Sequence, residues 1–117
     1  MDTSQVTEMA CGLANSGHPF LWVMRPGSVS GFKAAELPSG FMDQVGSHGI
    51  VVRWAPQKEV LGHRAVGAFW THCGWNSVIE SVCAGVPMAC WPRFGDQKVN
   101  ARLVCEMWRV GWRWGEW

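Results

Sequence analysis

The sequence predicts an α/β fold in which a parallel sheet is covered by helices on both faces, and three observations carry that prediction. Four apolar runs, Phe20 to Met24, Ile50 to Val52, Val66 to Trp70 and Met88 to Trp91, are continuous rather than alternating, as in strands buried on both sides. Segments with helical spacing of apolar residues fall between them, which is the alternation of a parallel sheet. The polar, glycine-containing clusters lie just past the strands, at the carboxyl ends that share one edge of such a sheet and where ligands bind.

The first element is a helix. Val6, Met9, Ala10, Leu13 and Ala14 repeat at intervals of three and four, with Asp2, Thr3 and Ser4 as N-cap candidates and Gly17 as the stop. Phe20 to Met24 follows as a strand between Pro19 and Arg25-Pro26-Gly27. The next loop, with Gly27, Ser28, Ser30 and Gly31, is surface material, and a short helix is expected over Ser39 to Val45. Ile50 to Val52 is the second strand, succeeded by Trp54-Ala55-Pro56-Gln57 and a short helix through Val60 and Leu61. The third strand, Val66 to Trp70, leads through a polar cluster into a helix from about Asn76 to Ala84 that Gly85 stops. The fourth, Met88 to Trp91, leads through Asp96 and Gln97 into a helix with Val99, Leu103, Val104 and Met107 on one face.

A chain of 117 residues and 13.0 kDa has room for about one domain with one modest core. Its composition is globular, 48% hydrophobic and 16% charged, and a net charge of +1 gives no electrostatic footprint for nucleic acid or an anionic membrane. No apolar run approaches the roughly 20 residues of a membrane helix, and the opening MDTSQVTEM lacks the regions of a signal peptide, so a soluble, cytoplasmic chain is expected. The five cysteines lack Cys-x-x-Cys spacing and are expected to be reduced, mostly small core residues. Zinc at His72 and Cys73 is not indicated, because adjacent ligands miss the usual spacing. Of the nine tryptophans, several are expected in the core, while Trp112, Trp114 and Trp117 crowd the tail and read as an interrupted element whose packing partner is missing.

Three strand-end loops are expected to converge on one crevice. His72 to Ser77 runs into a helix N-terminus, where unpaired N–H groups and the positive end of the dipole suit a phosphate. Gly74 lets the backbone approach closely, and His72, Asn76 and Ser77 add donors. The other reading is a ligand-free one, since Ser77-Val78-Ile79-Glu80 also fits an S-x-x-E capping box. Trp54 offers a flat face for a base, or else a core side chain at a strand end; Gln57 offers a donor and an acceptor. Glu80 is an acceptor suited to ribose hydroxyls. Asp96 and Gln97 pair an acid with an amide as vicinal sugar hydroxyls require, although Asp96 equally suits a helix cap. Together these groups outline a nucleotide sugar.

At this point a resemblance adds to the reading. From Trp54 to Gln97 the sequence resembles the signature box of the plant family 1 UDP-dependent glycosyltransferases, through WAPQ, VL, H, AVG, F, THCGWNS, ES, GVPM, WP and DQ. The flanks ACGLANSGHPFLWVMRP and NARLVCEMWRVG are similar to the same family. The resemblance implies a Rossmann-like parallel sheet with flanking helices, residues 1–117 being a single partial domain, the donor-binding part of the C-terminal domain of a GT-B fold. It implies that Trp54 stacks on uracil while Ala55 and Gln57 bind its edge and the ribose region. His72, Asn76 and Ser77 would hold the diphosphate with Gly74 allowing approach, Glu80 the ribose hydroxyls, and Trp75, Asp96 and Gln97 the sugar. A terminal Gln in the box is associated with glucose donors, so Gln97 favours UDP-glucose; neither a metal nor a cofactor is implied.

The same resemblance assigns the catalytic histidine, its partner aspartate and the acceptor pocket to an N-terminal domain that these residues do not include. His18, His48 and His63 match none of that machinery, so no catalytic residue is expected here and little or no transferase activity from the chain alone. A small-molecule acceptor is expected only where the N-terminal domain is supplied. The first strand of the second domain, with its Ser/Gly turn, is also missing from the match, and the terminal strand and helices stop at Trp117. Two further readings remain: a non-catalytic product of a truncated gene that binds uridine nucleotide weakly or serves only as an interaction surface, and a tryptophan-lined module that binds free sugar. The helix cradle argues against the last.

Overall fold

In a computed structural model the described residues are 3–25, 37 and 40–117. They fall into two compact units, Met1–Ala55 and Pro56–Trp117. The surface loop expected at Gly27 to Gly31, the cap candidate Asp2 and the expected helix start at Ser39 lie outside the described residues.

In the first unit, α1 spans Thr3–Ser16 and buries Val6 and Ala10, as the three-and-four spacing requires. Gly17 takes φ 71 immediately after it, the left-handed conformation that ends a helix without a Cβ penalty. β1, Phe20–Val23, pairs in parallel with β2, Gly49–Val52, with Phe20 opposite Gly49 and Val23 opposite Val52. The Phe20 ring covers Gly49 so closely that a Cβ there would lie 2.2 Å from Cζ, so any larger residue would have to displace the ring. α2, Phe41–Val45, buries Phe41 and Val45 beside Ala10, and Trp22 meets the Phe41 ring edge-on at 6.3 Å. Each such buried side chain stabilises by about 1.5–3 kcal/mol.

The second unit runs α3 (Gln57–Leu61), β3 (Phe69–Thr71), α4 (Trp75–Ala84), β4 (Met88–Cys90), α5 (Gln97–Arg102) and β5 (Gly111–Arg113). Its three strands pair in parallel in the order β3-β4-β5. Cys73, Val78, Met88, Cys90, Ala101 and Val104 form the buried core. β3 begins at Phe69 rather than at the expected Val66, because the Val66 amide donates to His63 O and closes a turn instead. α4 stops at Ala84 as expected, with Gly85 at φ 73.

Two expectations are corrected here. The crowded tail is not an element without a partner: β5 pairs with β4, the Trp114 amide donates to Cys90 O at 2.8 Å, and Trp117 Nε1 reaches the same oxygen at 3.2 Å. The tryptophans are also less buried than expected; Trp22, Trp70, Trp91 and Trp117 are half-buried and the other five are exposed. Among the cysteines, Cys73 and Cys90 are buried and Cys105 half-buried, whereas Cys11 and Cys83 are exposed. The helix expected to continue through Met107 changes character at Leu103, where a π-helical turn over Leu103–Met107 places the Trp108 amide on Leu103 O at 2.8 Å.

Candidate functional site

Between the end of β3 and the start of α4 only His72, Cys73 and Gly74 make the turn. Cys73 sits at φ 68, a left-handed conformation that costs a residue with a side chain about 1–2 kcal/mol. Two buried side chains hold it there: Thr71 Oγ1 accepts from the Cys73 amide at 3.1 Å, and Asn100 Nδ2 donates to Cys73 O at 2.9 Å. Gly74, at φ −60 and ψ 145, then occupies the N-cap position of α4, and no side chain caps the helix. The amides of Trp75, Asn76 and Ser77 thus open the helix at the positive end of its dipole.

The capping-box reading fails on this geometry. With Gly74 at the N-cap, Ser77 is the third helical residue rather than the cap, and its Oγ accepts from Gln57 Nε2 at 3.0 Å. That bond carries the start of α3 to the first turn of α4. Glu80, one turn further along α4 from Asn76, is therefore not a capping residue, and it is half-buried.

His72 is exposed, its ring 5.7 Å from Trp70 and 6.4 Å from Trp91. Those two indoles lie 5.0 Å apart, and the Trp91 amide donates to Thr71 O at 2.9 Å, so the chain leaving β4 runs beside the chain leaving β3. Trp75, 46% exposed, tilts against Trp108 at 6.4 Å. Asp96 holds the N-cap position of α5 but makes no side-chain cap bond, so the alternative of a capping aspartate is not realised. Gln97 Oε1 accepts from the Arg93 and Phe94 amides at 2.8 and 3.0 Å and folds the loop after β4 back on itself; its Nε2 is the end left to donate. Trp54 and Ala55 belong to the first unit; Trp54 is 72% exposed, which removes the core reading, and Ala55 is half-exposed. Among the described residues no group of three His, Cys, Asp or Glu converges as a metal site would require.

Residues 1–112 match the family described as UDP-glucoronosyl and UDP-glucosyl transferase. The chain belongs to the UDP-glycosyltransferase family. Among its UDP-glycosyltransferase relatives, the DIMBOA UDP-glucosyltransferase BX8 of Zea mays is 57% identical over 111 residues, which cover 95% of this chain and 24% of the relative. The anthocyanidin 3-O-glucosyltransferase crystallised in complex with UDP matches 91% of this chain and 23% of its own at a TM-score of 0.82 and 46% identity. UGT2 of Phytolacca americana, complexed with UDP-2fluoro-glucose and pterostilbene, gives 0.84 at 43% identity over 94% of this chain and 24% of its own. The chain thus spans about a quarter of the length of these UDP-glycosyltransferases. Its fold is that of a Rossmann-like partial domain of the GT-B type, parallel sheets with flanking helices.

Thr71 and Asn100 are features of this UDP-glycosyltransferase segment that the reading of the strand-end loops did not single out. Asn100 gives a faint signal, a polar residue next to Ala101 where α5 turns toward the core, but its bond to a residue 27 positions earlier has no local signature.

Proposed function

We propose that this chain is the donor-binding part of a UDP-glycosyltransferase, holding a UDP-sugar, UDP-glucose by the Gln97 association, for inverting transfer to a small-molecule hydroxyl. One observation carries the reading: the uncapped N-terminus of α4, opened by Gly74 and placed beside His72 and the Gln57–Ser77 bridge. Such an end offers several backbone donors to a diphosphate. Trp54 stacks on uracil, Ala55 and Gln57 meet its edge and the ribose region, and Glu80 accepts from the ribose hydroxyls. Asn76 and Ser77 hold the phosphates with His72, and Trp75, Asp96 and Gln97 address the sugar.

The chemistry asked of these residues is leaving-group stabilisation. A base outside the residues described takes the proton of the acceptor hydroxyl, whose oxygen attacks the anomeric carbon as the bond to the phosphate oxygen breaks. Charge develops on the departing UDP, and donors already fixed at the helix end stabilise it without reorganising. No metal ion has a role in this scheme, and a cytoplasmic location goes with it; no helix among the described residues is long and apolar enough to cross a membrane.

Calorimetric titration with UDP and UDP-glucose in EDTA tests the reading. Saturable binding that Trp54→Ala and His72→Ala each weaken at least about fivefold is expected, the loss of one stacking or one charged contact. A folded chain that binds neither ligand would return the segment to an interaction surface without a donor site.

A further inference from the structure

Asn100 lies on α5 with only 6% of its surface exposed, one of three buried polar residues among the described residues, with Thr71 and Ser81. A buried amide is tolerated where its hydrogen bonds are made. Its Nδ2 makes one, 2.9 Å to the carbonyl of Cys73. The amide of Cys73 is taken by Thr71 Oγ1, and Thr71 is itself 5% exposed. Both polar backbone groups of one left-handed residue are therefore held by buried side chains from two different elements.

The consequence reaches the next residue. In a trans peptide the carbonyl and the following N–H point in opposite directions, and no cis peptide occurs among the described residues. With Cys73 O turned toward Asn100, the Gly74 N–H faces away from Asn100. It then stands at the opening of α4 with the amides of Trp75, Asn76 and Ser77.

We propose that Asn100 is a positioning residue for the donor diphosphate, fixing the Cys73–Gly74 peptide so that the Gly74 N–H and the first turn of α4 are set for phosphate oxygens. The inference rests on the donor-site reading above. Rotation of that one peptide would replace a donor by a carbonyl oxygen facing the anion, so the effect falls on phosphate recognition and not on the nucleoside.

The test is an amide-resolved NMR titration of the full chain with UDP and, separately, with uridine, on the unsubstituted protein and on Asn100→Asp, Thr71→Val and Thr71→Ser. Asn100→Asp is expected to keep a dispersed spectrum and to lose about tenfold or more in UDP affinity, as for a charge-assisted contact, with uridine affinity changed by less than about twofold. Thr71→Val should repeat that split, and Thr71→Ser, which keeps the hydroxyl acceptor, should retain the UDP affinity of the unsubstituted protein. UDP affinity within about twofold in folded Asn100→Asp, or equal losses for UDP and uridine, would overturn the proposal. If Asn100→Asp fails to fold, Thr71→Val decides; failure of both to fold assigns the contacts to fold maintenance and overturns positioning. An unsubstituted protein that binds uridine as well as it binds UDP, or binds neither, would instead strike down the donor-site reading itself.

Discussion

Gln57 and Ser77, 20 positions apart, meet through Gln57 Nε2 and Ser77 Oγ at 3.0 Å. The bond uses one N–H of the amide, so Gln57 keeps Oε1 and a second N–H, and Oε1 is expected to accept from a donor on the nucleoside. Gln57→Leu removes a part-buried hydrogen bond and is expected to lower stability by about 1 kcal/mol, together with a loss of UDP affinity. Urea unfolding followed by calorimetry measures both; a variant with unchanged midpoint and affinity would show that the bridge matters to neither.

Trp54 is expected to behave as a ligand-binding side chain with no part in the core. Trp54 is 72% exposed, so Trp54→Ala should leave the urea midpoint unchanged. A base that stacks on an indole gains about 1–3 kcal/mol, so UDP affinity should fall roughly fivefold to 150-fold. A lowered midpoint with intact affinity would reverse the assignment.

Gly74 and Gly111 should answer differently to the same substitution. A Cβ at Gly74 meets nothing within 4 Å and the residue has an ordinary φ of −60, so Gly74→Ala is expected to fold normally while obstructing a phosphate. A Cβ at Gly111 would lie 2.5 Å from Met88 O and 2.6 Å from Val104 Cγ1, so Gly111→Ala is expected to lose about 3 kcal/mol by forcing β5 off β4. Thermal unfolding separates the two, and UDP titration of Gly74→Ala tests whether the glycine serves close approach.

The buried thiols give a pH dependence. The Cys90 thiol is pushed up by its hydrogen bond to Cys73 and by burial, and Cys105 is pushed up to about 12, chiefly by burial and then by Cys90. Cys73 is lowered by the hydrogen bond from Cys90 and works in the opposite sense, one group against two. Unfolded thiols ionise near pH 8.5, so below that pH Cys90 and Cys105 are protonated in both states and only Cys73, which gives up its proton earlier when folded, adds stability as pH rises; above it the unfolded chain releases protons that Cys90 and Cys105 retain when folded. Stability is therefore expected to decline as pH rises from about 8.5 toward 12, which urea midpoints at several alkaline pH values would register. In the same experiment N-ethylmaleimide should modify exposed Cys11 and Cys83 at once, and Cys73 and Cys90 only on unfolding.

Local patterns made much of this architecture legible. The apolar runs at Phe20, Ile50 and Met88 are strands, and Gly17 and Gly85 end helices because each needs a positive φ there. β5 escaped because Gly111-Trp112-Arg113 is short and has no apolar run of its own; its stability comes from the ladder to β4, and that pairing is non-local. The capping box at Ser77 does not form although its spacing is correct, because the N-cap of α4 lies three residues earlier, at Gly74. At the candidate site the turn from β3 into the N-terminus of α4 could be read directly. The tethers of Cys73 by Thr71 and Asn100 could not, since a left-handed non-glycine residue and a bond across 27 positions leave no mark in composition or periodicity.

The paired indoles of Trp70 and Trp91 have an optical consequence. One belongs to β3 and the other lies just past β4, with ring centres 5.0 Å apart and planes inclined by 38°. Transition dipoles that close and that far from parallel couple, so the two rings absorb circularly polarised light as a pair rather than as separate chromophores. Because the coupling exists only while β3 and β4 are side by side, the circular dichroism of this chain contains a label-free gauge of the sheet edge that carries His72.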